Sequence, residues 1–236
     1  MKLRELAVVA RSAFSAYGRS PLMLLPALAL FLTMVLLNES SRQILPYLQT
    51  NAANVSWSIG ATFIQLAILA FCFSTLLLLA AGIVKHRSSS FRHTLATALQ
   101  CTPISFILLA LSLLVLMLTN ALALLGGKLM IPFSAGVAPF VVIAIWALCF
   151  LGGGIFLSFT NVFSVIEHAG VFASVLASAQ TVKRHYGSVV LISIMLFFSF
   201  SMLDRFLPNL IAELVKSFML IPYLSLFLVF FLQKTR

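Results

Sequence analysis

Six long apolar stretches constrain this chain more than any other feature of its sequence. They cover approximately residues 20–38, 57–84, 103–126, 137–166, 188–203 and 214–233. A hydrocarbon layer about 30 Å thick requires about 20 apolar residues of helix to cross it. Only 8% of the 236 residues are charged, whereas an ordinary soluble domain has about 25%. The sequence therefore predicts an all-α integral membrane protein with six transmembrane helices, forming a single polytopic domain over residues 1–236.

The positive charges predict how these spans are oriented. If the N-terminus lies inside, only Arg42, Lys128, Arg205 and Lys216 of the 15 Lys and Arg residues fall in outer loops. Because Lys and Arg accumulate on the cytoplasmic side of membrane proteins, we expect a multi-pass protein of the cell membrane with both termini in the cytoplasm. The net charge of +10 is spread along one membrane face, which favours anionic lipid headgroups rather than nucleic acid as the partner. The candidate headgroup contacts are Arg11, Arg19, Lys85, Arg87, Arg92, Lys183 and Arg184.

Three segments next to the spans have the periodicity of amphipathic helices. In 171–186, one predicted face is apolar and the other carries Ser174, Ser178, Thr181 and His185. The apolar face consists of Val171, Phe172, Val175, Leu176, Ala179, Val182 and Tyr186. Residues 3–19 and 91–102 show the same design. Such helices lie along a membrane surface with their apolar face in lipid, so we expect three interfacial helices on the inner side.

Short sequence matches suggest that the chain is built from repeated units. "LATA" at 95–98 is similar to "LASA" at 176–179, and "YGRS" at 17–20 is similar to "YGS" at 186–188. The predicted unit is a surface helix followed by a span, an outer loop and a second span, over about 1–84, 85–166 and 167–236. Each unit has an even number of spans, so the three copies would enter the membrane from the same side, as parallel repeats.

The run "FTNVFSVIEHAGVFASVLASAQTVKRHYGSVVLISIML" carries a family resemblance. It is similar to six-span prokaryotic membrane proteins related to the membrane domain attached to some glycerophosphodiester phosphodiesterases. Glu167, Gly170, Lys183 and Arg184 stand at matching places, although the proline that often precedes the acidic residue is absent. "SSSFRHTLATALQ" resembles the short helix ahead of the family's third span. The resemblance implies a six-span architecture, and because the family is largely uncharacterised it implies no particular activity.

The ionisable residues give little indication of chemistry. All five acidic residues fall at span ends or in loops, so no carboxylate is predicted at mid-membrane, where a coupled pump generally needs one. The four histidines belong to the predicted inner side, without the spacing of a known metal motif. No histidine lies inside a span to assist a serine nucleophile. We therefore expect no catalytic residue, no metal, no cofactor and no enzymatic activity.

Two groups of polar residues have open interpretations. Glu167 and His168 lie where the fourth span meets the segment 171–190; the carboxylate either stabilises the following helix or gates a bundle cavity. Gln65, Asn120 and Asn161 lie within spans, where they serve either as packing contacts between helices or as a polar path. The Gly152-Gly153-Gly154 run permits either close helix contact or a bend.

These observations favour a non-catalytic membrane protein that acts in membrane organisation or assembly through lipids and a membrane-protein partner. The alternative is a passive transporter or channel for a small solute or lipid, with its path among Gln65, Asn120 and Asn161. A continuous polar cavity would favour transport, and a bundle closed by Leu and Phe would favour the organising role.

Overall fold

The protein is helical throughout the part that the computed structural model describes, which comprises residues 3–44, 51–85, 90–130 and 136–235. Ten α-helices cover most of these ranges: α1 (Leu3–Gly18), α2 (Leu24–Ile44), α3 (Asn51–Val84), α4 (Phe91–Met130), α5 (Ala138–Gly152), α6 (Thr160–Ile166), α7 (Val171–Arg184), α8 (Tyr186–Phe206), α9 (Asn209–Val215) and α10 (Ile221–Thr235). Short 3₁₀ turns occupy Pro21–Met23 and Gly154–Leu157, and a π-helical turn over Lys216–Leu220 joins α9 to α10. The all-α prediction is confirmed for these residues.

Four continuous helical segments in the described ranges are long and apolar enough to cross a membrane. They are Ala53–Val84, Phe91–Leu129, Tyr186–Phe206 and Asn209–Thr235. Two bent pairs meet the same test when each is counted as one span, Arg4–Gly18 with Pro21–Leu37 and Ala138–Gly152 with Gly154–Ile166. The structure therefore has four to six helices that could span a membrane, and the six predicted stretches each fall on one of these segments.

The two bends have identifiable causes. Between α1 and α2 the helix direction changes by 87°. Pro21 lacks the N–H that a continuing helix needs, and Ser20 donates its hydroxyl to the Ala16 carbonyl oxygen at 2.9 Å. The second bend, of 40°, separates α5 from the turn that leads to α6. It falls on the triple glycine, so of the two interpretations of that run, close helix contact or a bend, the bend is the one observed.

The predicted surface helix at 91–102 is not a separate element. It runs through Pro103 into the third predicted span, as one helix of 40 residues. At 1.5 Å per residue α4 is about 60 Å long, roughly twice the thickness of a hydrocarbon layer. A membrane-embedded α4 must therefore extend well beyond the hydrocarbon. The prediction of a break between a surface helix and a span is wrong here.

The core lies toward one end of the helix assembly. It is formed by the second half of α3, the second half of α10, and α6, whose residues Thr160–Val165 are all buried. At the other end, α4 and α5 approach closely at Gly126 and Gly127, where an added Cβ would collide with the side chains of Ile145 and Val142. Small residues of this kind let two helix backbones meet, as in membrane helix pairs generally.

Candidate lipid-headgroup site at the basic end

Helix α1 docks on α10 through its small and apolar residues. Val9 and Ala13 are buried, and Tyr223 donates its hydroxyl to the Ala10 carbonyl oxygen at 3.3 Å. At the end of α1, the Tyr17 hydroxyl donates to the carbonyl oxygen of Phe218, in the π-helical turn. Of the apolar face predicted for α1, Leu6, Ala10 and Tyr17 pack against the core, whereas Ala7 and Phe14 are exposed.

The opposite side of α1 forms one wall of a basic groove. Arg11 and Arg19 lie eight residues apart, which on an α-helix is a separation of about 12 Å. The groove has a volume of about 800 Å³. It is lined by Val8, Arg11, Ser12, Ser15, Ala16, Arg19, Ser20, Ile83, Val84 and Phe230. Among the described residues, this lining includes no acidic side chain, so the groove combines two guanidinium groups and three hydroxyls with an apolar wall.

Helix α7 docks in a different way. Ser174 and Ser178 are fully buried, although the sequence pattern placed them on an outer polar face. Phe172 and Leu176 are 91% and 61% exposed, and Val182, predicted to share their face, is buried in the core. The prediction that the serine-bearing face of α7 is an outer polar face is therefore wrong, because both serines face the protein.

The buried serine has a specific partner in the broken fourth span. Ser178 Oγ donates to the Phe156 carbonyl oxygen at 2.6 Å and accepts from the Phe159 N–H at 3.1 Å. The Tyr186 hydroxyl donates to the Leu151 carbonyl oxygen at 2.9 Å. A helix break leaves backbone groups unpaired, and in a membrane these must be satisfied within the protein. Ser178 and Tyr186 supply partners on the two sides of the break.

Glu167 and His168 point to different cavities. Glu167 ends α6 and lines a cavity of about 260 Å³ together with Arg184 and His185. His168 has a φ of 51°, a left-handed conformation in which histidine is enriched among non-glycine residues. Its Nδ1 lies 3.6 Å from Cys101 Sγ. The side chain of His168 lines a second cavity, of about 230 Å³, with Lys85 and His93.

His185 joins α7 to α8 at this end of the molecule. Its Nδ1 is buried and has no hydrogen-bond partner among the described residues, and its ring meets Phe231 edge-on with centroids 6.0 Å apart. Burial, assisted by the neighbouring Arg184 charge, lowers the pKa of His185 below its ordinary value of 6.5. The neutral imidazole is thus the form that this position favours.

The shared cavity linings bring one end of α1, α3, α4, α7 and α10 together. Arg184 and His185 line the 260 Å³ cavity and also one with Leu6 of α1. Most of the predicted headgroup contacts lie at this basic end, with exposed side chains at Arg11, Arg19, Lys85, Arg92, Lys183 and Arg184. Arg87 lies outside the described residues. In the described ranges, no group of three or more His, Cys, Asp or Glu side chains is close enough to hold a metal ion.

The predicted polar path is not assembled in one cavity. Asn161 is buried in α6, Gln65 is half-buried on α3, and Asn120 is exposed on α4. Asn161 lines a cavity of about 320 Å³ whose lining includes neither Gln65 nor Asn120.

Sequence reasoning missed Ser178 and Tyr186 as partners of the helix break. The available signals were the two serines four residues apart on α7 and the triple glycine that precedes them by about 20 residues. A span containing three glycines needs hydrogen-bond partners from elsewhere in the protein, and Ser178 supplies two of these bonds.

Comparisons of the chain with protein-family models, with curated proteins and with solved structures found no match.

Proposed function

We propose that this is a non-catalytic protein of the cell membrane that acts in membrane organisation or assembly, through anionic lipids on its inner face and through contacts with a partner membrane protein. The basic groove beside α1 is the observation that carries this proposal. It combines two arginines, three serines and an apolar wall in one cavity of about 800 Å³.

The groove has the chemistry of a phospholipid headgroup site. A guanidinium group offers a planar set of donors that matches phosphate oxygens, and Ser12, Ser15 and Ser20 add hydroxyl donors. Ile83, Val84 and Phe230 provide an apolar surface for the first part of an acyl chain. Each Lys or Arg near an anionic membrane surface contributes about 1 kcal/mol.

The distribution of charge supports an inner-leaflet position for this end. The described basic residues of the proposed inner face lie here, whereas Lys216 is paired with Asp204 and, at 3.0 Å, with Glu213. Both termini would then be cytoplasmic. In this arrangement α1 and α7 are interfacial helices, and the exposed Phe14, Phe172 and Leu176 side chains enter lipid.

The parallel repeat is part of the same proposal. Tyr17 and Tyr186 occupy corresponding places in the matching sequences "YGRS" and "YGS". Each donates its hydroxyl to a carbonyl at an irregularity of a neighbouring span, the π-helical turn for Tyr17 and the triple-glycine break for Tyr186. This shared contact supports a common unit.

A lipid-dependent stability measurement tests the proposal. Purified protein in mild detergent should be stabilised more by added phosphatidylglycerol than by phosphatidylcholine. The double variant Arg11→Gln/Arg19→Gln loses two contacts of about 1 kcal/mol each. The phosphatidylglycerol concentration that gives half of the stabilisation should therefore rise about 30-fold.

The matched control is Arg4→Gln/Lys128→Gln, which removes two exposed charges outside the groove. It should respond to phosphatidylglycerol as the unmodified protein does. Equal responses to the two lipids, or equal losses in the two double variants, would count against a headgroup site in the groove.

The runner-up is a passive transporter or channel. The cavity at Asn161 is the observation that favours it, since it places a buried amide among the spans. The organising role is better supported, because Gln65 and Asn120 are not part of that lining. A proteoliposome flux assay with a neutral solute distinguishes the two, since transport predicts a flux that Asn161→Leu removes.

A further inference from the structure

The cavity of about 230 Å³ at the basic end brings together three nitrogen-bearing side chains from distant parts of the chain. Lys85 directly follows α3, His93 lies in the first turn of α4, and His168 lies between α6 and α7. All three residues are exposed and line the cavity. A ligand therefore reaches their side chains without displacing residues of the core.

This cavity has positive charge without an acidic counterpart. Its lining includes no Asp or Glu among the residues that the structure describes. Lys85 makes no ion pair within the described ranges. Glu167 is next to His168 in sequence, but it lines the cavity at Arg184 instead. An anion would therefore be attracted to Lys85 without competing with a carboxylate of the cavity wall.

The hydrogen-bond donors that remain for a ligand are nitrogen atoms. Thr94 Oγ1 donates to the Ser90 carbonyl oxygen at 3.3 Å, and Thr97 Oγ1 donates to the His93 carbonyl oxygen at 3.0 Å. Both threonine hydroxyls of the lining thus use their single hydrogen on the backbone. An ammonium group offers three donors, and an imidazole offers one when neutral and two when protonated. The lysine and the two histidines therefore set which ligand the cavity accepts.

Cys101 influences which nitrogen of His168 donates. Its Sγ is 3.6 Å from His168 Nδ1, and Cys101 itself is buried. When the thiol hydrogen is directed to Nδ1, the neutral ring carries its own hydrogen on Nε2. His168 is then a donor through Nε2, and the buried thiol helps to hold the orientation of its ring.

A terminal phosphate group, which has at most one ester bond, matches this set of side chains. A phosphate monoester carries about 1.5 to 2 negative charges at pH 7 and three terminal oxygens, one for each of the three nitrogen-bearing side chains. A phosphate diester has a single charge and two such oxygens. The volume lies below the range of drug-sized ligands, about 300–1,000 Å³, so the cavity suits a group of this small size.

We propose that this cavity binds a terminal phosphate group, whose oxygens accept hydrogen bonds from Lys85, His93 and His168. Phosphatidic acid and inorganic phosphate share this chemistry. The cavity has no lining residue in common with the α1 groove, so the site does not depend on the headgroup contacts proposed there. It also differs in selectivity, because phosphatidylglycerol is a diester.

Thermal unfolding of the full-length protein in mild detergent tests the site. Dioleoyl phosphatidic acid is compared with dioleoyl phosphatidylmethanol, which has the same chains and one additional methyl ester. Titrations of both the unmodified protein and Arg11→Gln/Arg19→Gln separate this site from the α1 groove. The lipid concentration that gives half of the stabilisation should be about 10-fold lower for phosphatidic acid, as expected for one additional charge-assisted hydrogen bond.

A titration with inorganic phosphate at constant ionic strength identifies the source of the ligand. Because a ligand that binds the folded state stabilises it, stabilisation by phosphatidic acid but not by millimolar phosphate assigns the cavity to a lipid headgroup. Stabilisation by millimolar phosphate assigns it to a soluble ligand. Either result supports a terminal phosphate site, and no stabilisation by phosphatidic acid or phosphate would overturn it.

Variants of the lining connect the preference to these side chains. Lys85→Gln/His93→Gln should abolish the preference for phosphatidic acid over phosphatidylmethanol, whereas Lys85→Arg keeps the cation and should retain it. His168→Asn removes the imidazole and should weaken the preference; asparagine tolerates the left-handed conformation found at this position. Lys234→Gln, at an exposed lysine outside the lining, is the matched control and should leave the preference unchanged.

Two further results would overturn the proposal. One is an equal half-saturating concentration for phosphatidic acid and phosphatidylmethanol, and the other is retention of the full preference in both Lys85→Gln/His93→Gln and His168→Asn. The preference should persist in Arg11→Gln/Arg19→Gln, and Lys85→Gln/His93→Gln should respond to phosphatidylglycerol as the unmodified protein does. Failure of the groove proposal and failure of this one are therefore distinguishable.

Discussion

Helices α1 and α7 have similar sequence patterns but dock on the protein through opposite kinds of surface. On α1, the buried residues are Val9 and Ala13, and the Arg and Ser side forms an open groove. On α7, the buried residues include Ser174 and Ser178, and Phe172 is 91% exposed. The two helices resemble each other in what lies at their C-terminal ends: Tyr17, in the last turn of α1, and Tyr186, two residues after α7, each donate to a carbonyl of a neighbouring span.

The neighbours of each helix account for this difference. α1 packs on α10 mainly through apolar residues, with single hydroxyl contacts to the carbonyls of Ala10 and Phe218. α7 packs on the break between α5 and α6, where backbone groups need partners, and Ser178 satisfies two of them. The side of a short amphipathic helix that is buried is therefore set by the hydrogen-bonding needs of the surface it covers.

The largest effect is expected from removing the buried serine of α7. Ser178→Ala leaves the Phe159 N–H and the Phe156 carbonyl without this partner. Because an unsatisfied buried group costs about 1–3 kcal/mol, the variant should lose about 2–4 kcal/mol of stability in detergent. Thermal unfolding followed by size-exclusion chromatography measures the loss.

Ser15→Ala on α1 is the matched control, because Ser15 lines the open groove with an exposed side chain. It should change stability by less than about 0.5 kcal/mol, as surface substitutions usually do. Equal effects of the two serine variants would show that the contrast between α1 and α7 is not energetic.

A smaller and nearly equal effect is expected at the two tyrosines. Tyr17→Phe and Tyr186→Phe each remove one hydroxyl donor while keeping the ring, and each should cost about 1 kcal/mol. Thermal unfolding of the two variants and of the double variant measures this similarity. A pronounced effect at only one tyrosine would contradict a common unit in the two halves of the chain.

The sequence predicted the helices well because their signals are local and strong. Runs of apolar residues around Leu76 and Leu226, and the alternation of apolar and polar residues on α1 and α7, identified the segments and their helical state. It predicted less about how the segments associate. A surface helix over 91–102 was predicted ahead of a span that begins at 103, but α4 continues through Pro103, since a proline in a long helix removes only one hydrogen bond of many.

The candidate site shows the same contrast between local features, which the sequence predicts, and long-range packing, which it does not. Arg11 and Arg19 were predicted as headgroup contacts from charge alone, and their grouping into one groove depends on Ile83, Val84 and Phe230 from distant parts of the chain. Asn161 and Asn120 had equal status in the sequence, yet one is buried beside a cavity and the other is exposed. Long-range packing makes that distinction, and a single sequence carries no direct signal of it.

The smallest expected effect is a difference between the ends of α1 and α7 in how their stability responds to acid. His185 follows α7, where burial and Arg184 lower the pKa of its imidazole below 6.5, whereas the residue that follows α1 is Arg19. A histidine with a lowered folded-state pKa contributes stability above the pKa of the unfolded chain, and that contribution is lost as the pH falls below about 6.5.

The unfolding temperature should therefore fall between pH 7.5 and pH 5.0 by more in the unmodified protein than in His185→Gln. His93→Gln, at an exposed histidine of α4, should retain the full response. Glu167 lines the same cavity as His185, so Glu167→Gln tests whether the carboxylate charge moderates the loss of stability at low pH. If it does, the unfolding temperature of Glu167→Gln should fall by more than that of the unmodified protein over the same pH range. If His185→Gln and the unmodified protein respond alike, the end of α7 is as insensitive to pH as the end of α1, and the contrast between the two helices is confined to their buried faces.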